Sequence, residues 1–262
     1  MLLQLHSWAG EALPPLVVDF SRPLSLALPV SAELSAARAW YLPSASVDFV
    51  RLGDWVGSVQ AGAGVNFRTW QFNPHAHGTH TESVGHIDSD ITPIWGNMRE
   101  FAALCALISV ETVRLENGDE VIDAAALSMA WADLDFRRIP ASAVRALAVR
   151  TLPNSDEKRN KLYSHSNPPY FTTAALEFLA LELGIVHLLT DLPSVDRESD
   201  GGKLAAHHAF WQYPQNTRYE ATITEFIYAD NAIKDDIYFL QLAPAPFVGD
   251  AAPSAPILYE LR

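Results

Sequence analysis

The sequence predicts an α/β fold, mostly strands with few helices, and three observations carry that expectation. Apolar runs at 104–113 and 144–151 suit strands covered on both faces. Seventeen prolines recur as punctuation, which favours short strands and loops over long helices. One helical pattern, at 172–183, leads through Gly184 into an apolar strand and then Asp191, an α/β order of elements.

Taken in order, residues 16–20 (Leu-Val-Val-Asp-Phe) read as a short β-rich strand that stops at Ser21-Arg22-Pro23. Residues 65–70 alternate apolar and polar side chains and lead straight into a run of histidines. The strands at 104–113 and 144–151 follow as interior strands. The polar stretch 153–169 reads as a surface excursion, with a lid as the alternative. In the helix at 172–183, Thr172 or Thr173 caps the start, and Leu176, Leu179, Ala180 and Leu183 share one face. Gly184 supplies the stop. The strand at 185–190 carries His187 among apolar neighbours, which reads as a core histidine rather than a ligand.

Composition narrows the function. With 49% hydrophobic and 19% charged residues, the 262-residue chain has material for a sizeable core and is expected to form one domain over 1–262. The net charge of −13 leaves no basic stripe for phosphates, so nucleic acid is not an expected partner. No apolar run is long enough for a membrane span, and the first ten residues lack a basic start before an apolar run. A cytoplasmic protein acting on a small molecule is the expectation. The single cysteine, Cys105, lies inside an apolar run and reads as a small buried hydrophobe in a reducing compartment.

The chemistry concentrates in His75-Ala76-His77-Gly78-Thr79-His80-Thr81-Glu82, with His86 close behind. Imidazole nitrogen and carboxylate oxygen are the donor set for zinc and related divalent ions. In an extended chain His80 and Glu82 project to the same side, and Gly78 lets an earlier histidine fold back towards them. A catalytic ion acidifies a bound water to near ~7, so that a hydroxide attacks a carbonyl, and His86 suits the proton shuttle. Further along, Asp191, Asp196, His207, His208 and Glu225 fall at the ends of apolar segments. Glu225 is the sharpest of these, because strand alternation in 221–228 buries its carboxylate unless a positive group meets it.

These residues resemble the cyclase-like hydrolase family that includes bacterial kynurenine formamidase, whose signature is His-x-Gly-Thr-His-x-Asp-x-Pro-x-His. Gly78-Thr79-His80 match it, and His86 falls at the final histidine. Val18-Asp19-Phe20-Ser21-Arg22-Pro23-Leu24 resembles the family's opening, Val149-Arg150-Thr151 its central strand, and 190–196 with Ala206-His207-His208-Ala209 the stretch before its second site. The likeness spans about 16–262. Ala76 stands where the first histidine belongs, with His75 and His77 on either side; His75 is favoured, through a bulge before Gly78. Glu82 replaces the aspartate, Val84 the proline, and the spacing from His207 to Glu225 is longer than usual.

The resemblance implies a swivelling β/β/α fold, a zinc or manganese centre, and a homodimer or homotetramer. It implies hydrolysis of an amide such as N-formylkynurenine, or of a related cyclic amide or ester. By the same carry-over His75, His80 and Glu82 hold the metal, with His77 and His208 as further possibilities, and His86 is the acid/base. His207 and Glu225 complete a second metal position or the proton relay. Phe67, Trp70 and Phe72 are candidates to line an aromatic-substrate pocket. The alternative is a binding protein of the same fold that lost catalysis. A serine hydrolase on Ser83 or Ser194 ranks below both, since no Gly-x-Ser-x-Gly elbow exists in the chain.

Overall fold

In the computed structural model, which describes residues 2–8 and 10–262, nine strands form one continuous sheet. They are β1 (Leu24–Ser25), β2 (His80–Glu82), β3 (Ala102–Glu111), β4 (Val144–Leu152), β5 (His187–Thr190), β6 (Thr222–Glu225), β7 (Asp236–Gln241), β8 (Ala251–Pro253) and β9 (Ile257–Glu260). Their order across the sheet is β8-β2-β6-β5-β4-β3-β7-β9-β1. The central four, β6-β5-β4-β3, run parallel, and the flanking strands pair antiparallel. Strands with few helices are what the sequence predicts.

Parallel strands need both faces covered, and the apolar runs supply both. On β3, Leu104, Ala106, Ile108 and Val110 face one core, while Ala103, Cys105 and Leu107 face another. The first core is closed by helices α1 (Ala124–Ala132), α2 (Thr173–Glu177) and α3 (Ala205–Trp211), through Leu127, Leu176, Phe210 and Trp211. Leu16 and Val18 of the hairpin Leu2–Trp8/Glu11–Asp19 join the same core.

The predicted helix at 172–183 starts where expected, with the Thr172 hydroxyl accepting from the Ala175 amide at 3.2 Å. It widens into a π-turn over Phe178–Glu182 and ends at Gly184, whose φ is +66°. His187 is buried, as the apolar neighbours predict, with Nδ1 2.8 Å from Thr222 Oγ1. The alternating stretch 65–70 differs from expectation. Only Arg68–Gln71 is extended, and it pairs with Ser46–Phe49 in a separate two-stranded ribbon with all four residues exposed. Its alternation therefore buries nothing. Among the described residues, no helix is long and apolar enough to cross a membrane.

Candidate metal centre

The site forms where β2 enters the sheet between β6 and β8. His80 pairs with Glu225 in register, and Glu82 with Ile223, so alternation sends His80, Glu82 and Glu225 to the same, helix-bearing face. Glu225 is the last residue of β6, which places the site at the carboxyl end of the parallel strands, where open α/β sheets hold ligands. Thr81 faces the other way and joins Thr224 and Ser254 through their hydroxyls, at 2.8 and 2.7 Å.

The Gly-Thr pair sets the entry into β2. Gly78 has a φ of +73°, and a Cβ there would lie 2.9 Å from the Leu28 carbonyl oxygen, so only glycine fits. Thr79 locks the same segment: its hydroxyl accepts from the Leu28 amide at 2.7 Å and donates to the Phe226 carbonyl. The turn ahead of Gly78 closes with the Ala76 and His77 amides on the Asn73 carbonyl, and Trp40 Nε1 donates to the His75 carbonyl at 3.0 Å. His75 thereby folds back to Glu82.

Glu82 is the hub. It is fully buried, with His207 Nε2 3.0 Å from Oε1 and His75 Nδ1 3.1 Å from Oε2. His86, on the short turn Val84–His86, brings Nδ1 to 3.9 Å from Oε2. His80 Nε2 lies 3.3 Å from Glu225 Oε2. Yet Glu82 Oε2 and His80 Nε2 are both buried without a hydrogen bond, because these neighbours approach out of line. Buried polar atoms left so are costly unless something else meets them.

Their surroundings fit a divalent cation. Donor atoms of His75, His80 and Glu82 all lie within 4.8 Å of one another, as do those of Glu82, His86 and His207. Several of the imidazoles are also anchored at their other nitrogen, as metal-binding histidines are. His80 Nδ1 sits 3.3 Å from the Gly78 carbonyl, His207 Nδ1 2.6 Å from Asp196 Oδ2, and His75 Nε2 2.9 Å from Asp250 Oδ2. Asp196 also accepts from the Ala206 and His207 amides, which fixes the start of α3.

The electrostatics follow from this crowding. Burial alone would push His75 and His207 down, but the carboxylates beside them outweigh it and hold both up at about 10. For Glu82 burial works upward, and His86, His207 and His75 overcome it, leaving the carboxyl well below its ordinary value. Asp250 is lowered by its hydrogen bonds to His75 and His86. A cation entering this cluster would displace protons from His75 and His207.

A cavity of about 310 Å³ opens onto His75, His86 and Glu225, walled by Trp40, Leu42, Asn73, Ser194 and Leu204. A larger one, of about 580 Å³, lies beside Thr151, Lys158 and Tyr163 and is lined by no histidine.

His75, His80, Glu82, His86, His207 and Glu225 are thus brought together. Two histidines and all three aromatic residues fall outside that group, a correction to the expectation. His77 is buried facing away, with Nε2 2.9 Å from the Pro43 carbonyl and Nδ1 against Asn73, so both its nitrogens are taken. His208 lies one residue round α3 from His207, with Nδ1 3.2 Å from the Tyr213 carbonyl, and borders an outer groove. Phe67 and Trp70 are 53% and 47% exposed, and neither lines the cavity, because the 68–71 ribbon lies outside the main sheet. Phe72 is half-buried against Phe247 and borders a neighbouring cavity that shares Leu42 and Asn73. Of the groups that sequence reasoning missed, Asp250 and Trp40 carry no local signal. Asp196 stands among the late polar residues, without a hint that it meets His207.

The family described as "Putative cyclase" matches residues 18–197. No curated protein matches the chain. Among solved structures, isatin hydrolase A from Ralstonia solanacearum superposes with a TM-score of 0.61 at 16% identity, covering 91% of both chains. Isatin hydrolase A from Labrenzia aggregata, bound to benzyl benzoate, gives 0.59 at 14% identity, over 91% of this chain and 94% of that one. A predicted metal-dependent hydrolase from Bacillus stearothermophilus gives 0.58 at 16% identity, over 91% and 98%. At such identities the likeness establishes a shared fold.

Proposed function

The chain belongs to the Cyclase family, and from that premise we propose that it is a metal-dependent hydrolase of a small amide or ester. The observation that carries the reading is the convergence of His75, His80 and His207 on the buried Glu82, with two orphaned polar atoms among them, beside a cavity of small-molecule size. We take the ion to be zinc, with manganese as the other candidate, since imidazole and carboxylate donors suit both.

His75, His80 and Glu82 would hold the ion, with Glu225 against His80 and His207 against the other oxygen of Glu82. A divalent cation there would supply Lewis acidity and the means to lower the pKa of water. The side chains do the rest. His86 is half-buried at the cavity wall, and with Nδ1 turned to Asp250 its Nε2 is left to carry a proton to the leaving group. Asp196 keeps the His207 ring in place. Trp40 and Leu42 offer an apolar wall for an aryl or cyclic substrate, and Asn73 a polar edge. N-formylkynurenine and small cyclic amides are the substrates we favour, the latter because isatin hydrolases share the fold. A homodimer or homotetramer belongs to the same reading.

Elemental analysis of protein purified without added metal, together with turnover of an aryl formamide, isatin and an aryl ester before and after chelation, tests it. Stoichiometric metal and chelator-sensitive hydrolysis of at least one substrate is the expected result. Metal without turnover of any of them would favour a binding protein that kept the fold.

A further inference from the structure

One carboxylate near the centre meets two of its histidines at once. Asp250 immediately precedes the edge strand β8, 175 residues beyond His75. Its Oδ2 lies 2.9 Å from His75 Nε2 and 3.4 Å from His86 Nδ1, and the two rings lie side by side, tilted by 32° with centroids 4.3 Å apart. Its backbone also takes part: the Asp250 carbonyl accepts from the Ser83 amide at 2.8 Å, and Ser83 opens the turn that carries His86. The neighbouring Gly249 carbonyl accepts from the Ile94 amide. One residue thus holds both ends of the histidine pair.

We propose that Asp250 is a positioning residue that sets the tautomers of His75 and His86 and so prepares the centre for its cation. An ionised carboxylate only accepts hydrogen bonds. A proton is therefore drawn to Nε2 of His75 and to Nδ1 of His86. With Nε2 of His75 tied to Asp250, Nδ1 is the nitrogen aimed at Glu82, where the ion would sit and displace its proton, and Nε2 of His86 is turned free for proton transfer. The chain needs this device because His75 lies in the turn ahead of Gly78 rather than on β2. No strand ladder orients its ring. The proposal rests on the hydrolase reading for the role of His86, but its ligand-orienting half stands on geometry alone.

The test is Asp250→Asn, which preserves shape and the backbone carbonyl. Zinc and manganese affinity of the stripped protein is measured by chelator competition, and the tautomers of His75 and His86 by 15N chemical shifts of the imidazoles in the zinc-loaded protein. A 10–100-fold weaker affinity is expected, in the range found for partners of metal-binding histidines. The imidazole signals of His75 and His86 should move to mixed tautomers, while those of His187 stay put. Unchanged affinity with unchanged tautomers would overturn the proposal whether or not the protein hydrolyses anything. Thermal melting of both forms separates a local effect from lost folding. Absence of turnover by the parent protein would remove the hydrolase reading and leave the affinity measurement decisive for Asp250.

Discussion

His187 makes the stability of this protein depend on pH in a calculable way. Burial, reinforced by the charges of Arg145 and Arg218, pushes its pKa from 6.5 down to about 4. Above the unfolded value the ring is neutral in both states and adds no pH dependence. Between 6.5 and 4 the unfolded chain binds a proton that the folded chain refuses, so stability falls as the pH falls. Below 4 both forms are protonated and the loss levels off. At about 1.4 kcal/mol per pH unit, the whole window amounts to about 3 kcal/mol. Urea midpoints of the parent and of His187→Gln, each at about pH 7.5 and about pH 4.5, isolate the term, because other titrating groups cancel in the double difference. The parent should lose about 2 to 3 kcal/mol more than the variant on acidification. Equal losses in the two proteins would refute the reasoning and mean that His187 finds a partner for its proton in the folded state.

Three further outcomes follow from the site. Glu82→Gln, which keeps shape but removes the charge at the hub, should weaken zinc affinity by more than about 100-fold in chelator competition, beyond the loss usual for an outer partner. His86→Ala should lower kcat by about 10²–10⁴-fold on any substrate the parent hydrolyses, with metal content by elemental analysis unchanged. Gly85→Ala places a Cβ 2.1 Å from the Thr92 carbonyl oxygen, so the turn bearing His86 must shift; a loss of about 3 kcal/mol in denaturant unfolding, with reduced turnover, is expected.

Much of this protein is written locally. The buried strands at the centre of the sheet follow from unbroken apolar runs, and the start of α2 follows from one threonine hydroxyl. Those signals act over a few residues, so the sequence carries them without knowledge of the rest. The same holds for His80 and Glu82, whose common direction is the two-residue period of a strand. The alternation at 65–70 is the exception that teaches the limit: period reports a strand, not which surface covers it.

The choice between His75 and His77, by contrast, is made by the turn at Asn73 and by the Pro43 carbonyl that takes up His77. Asp196 and Asp250 meet their histidines across 11 and 175 residues, and Trp40 meets His75 across 35. Such meetings depend on the order in which strands assemble, with β2 inserted between β6 and β8. The chain by itself therefore determined the donor chemistry and the strands that bear part of it. Only the assembled sheet decided which donors share a centre, because convergence in space is set by packing between distant segments rather than by spacing along the backbone.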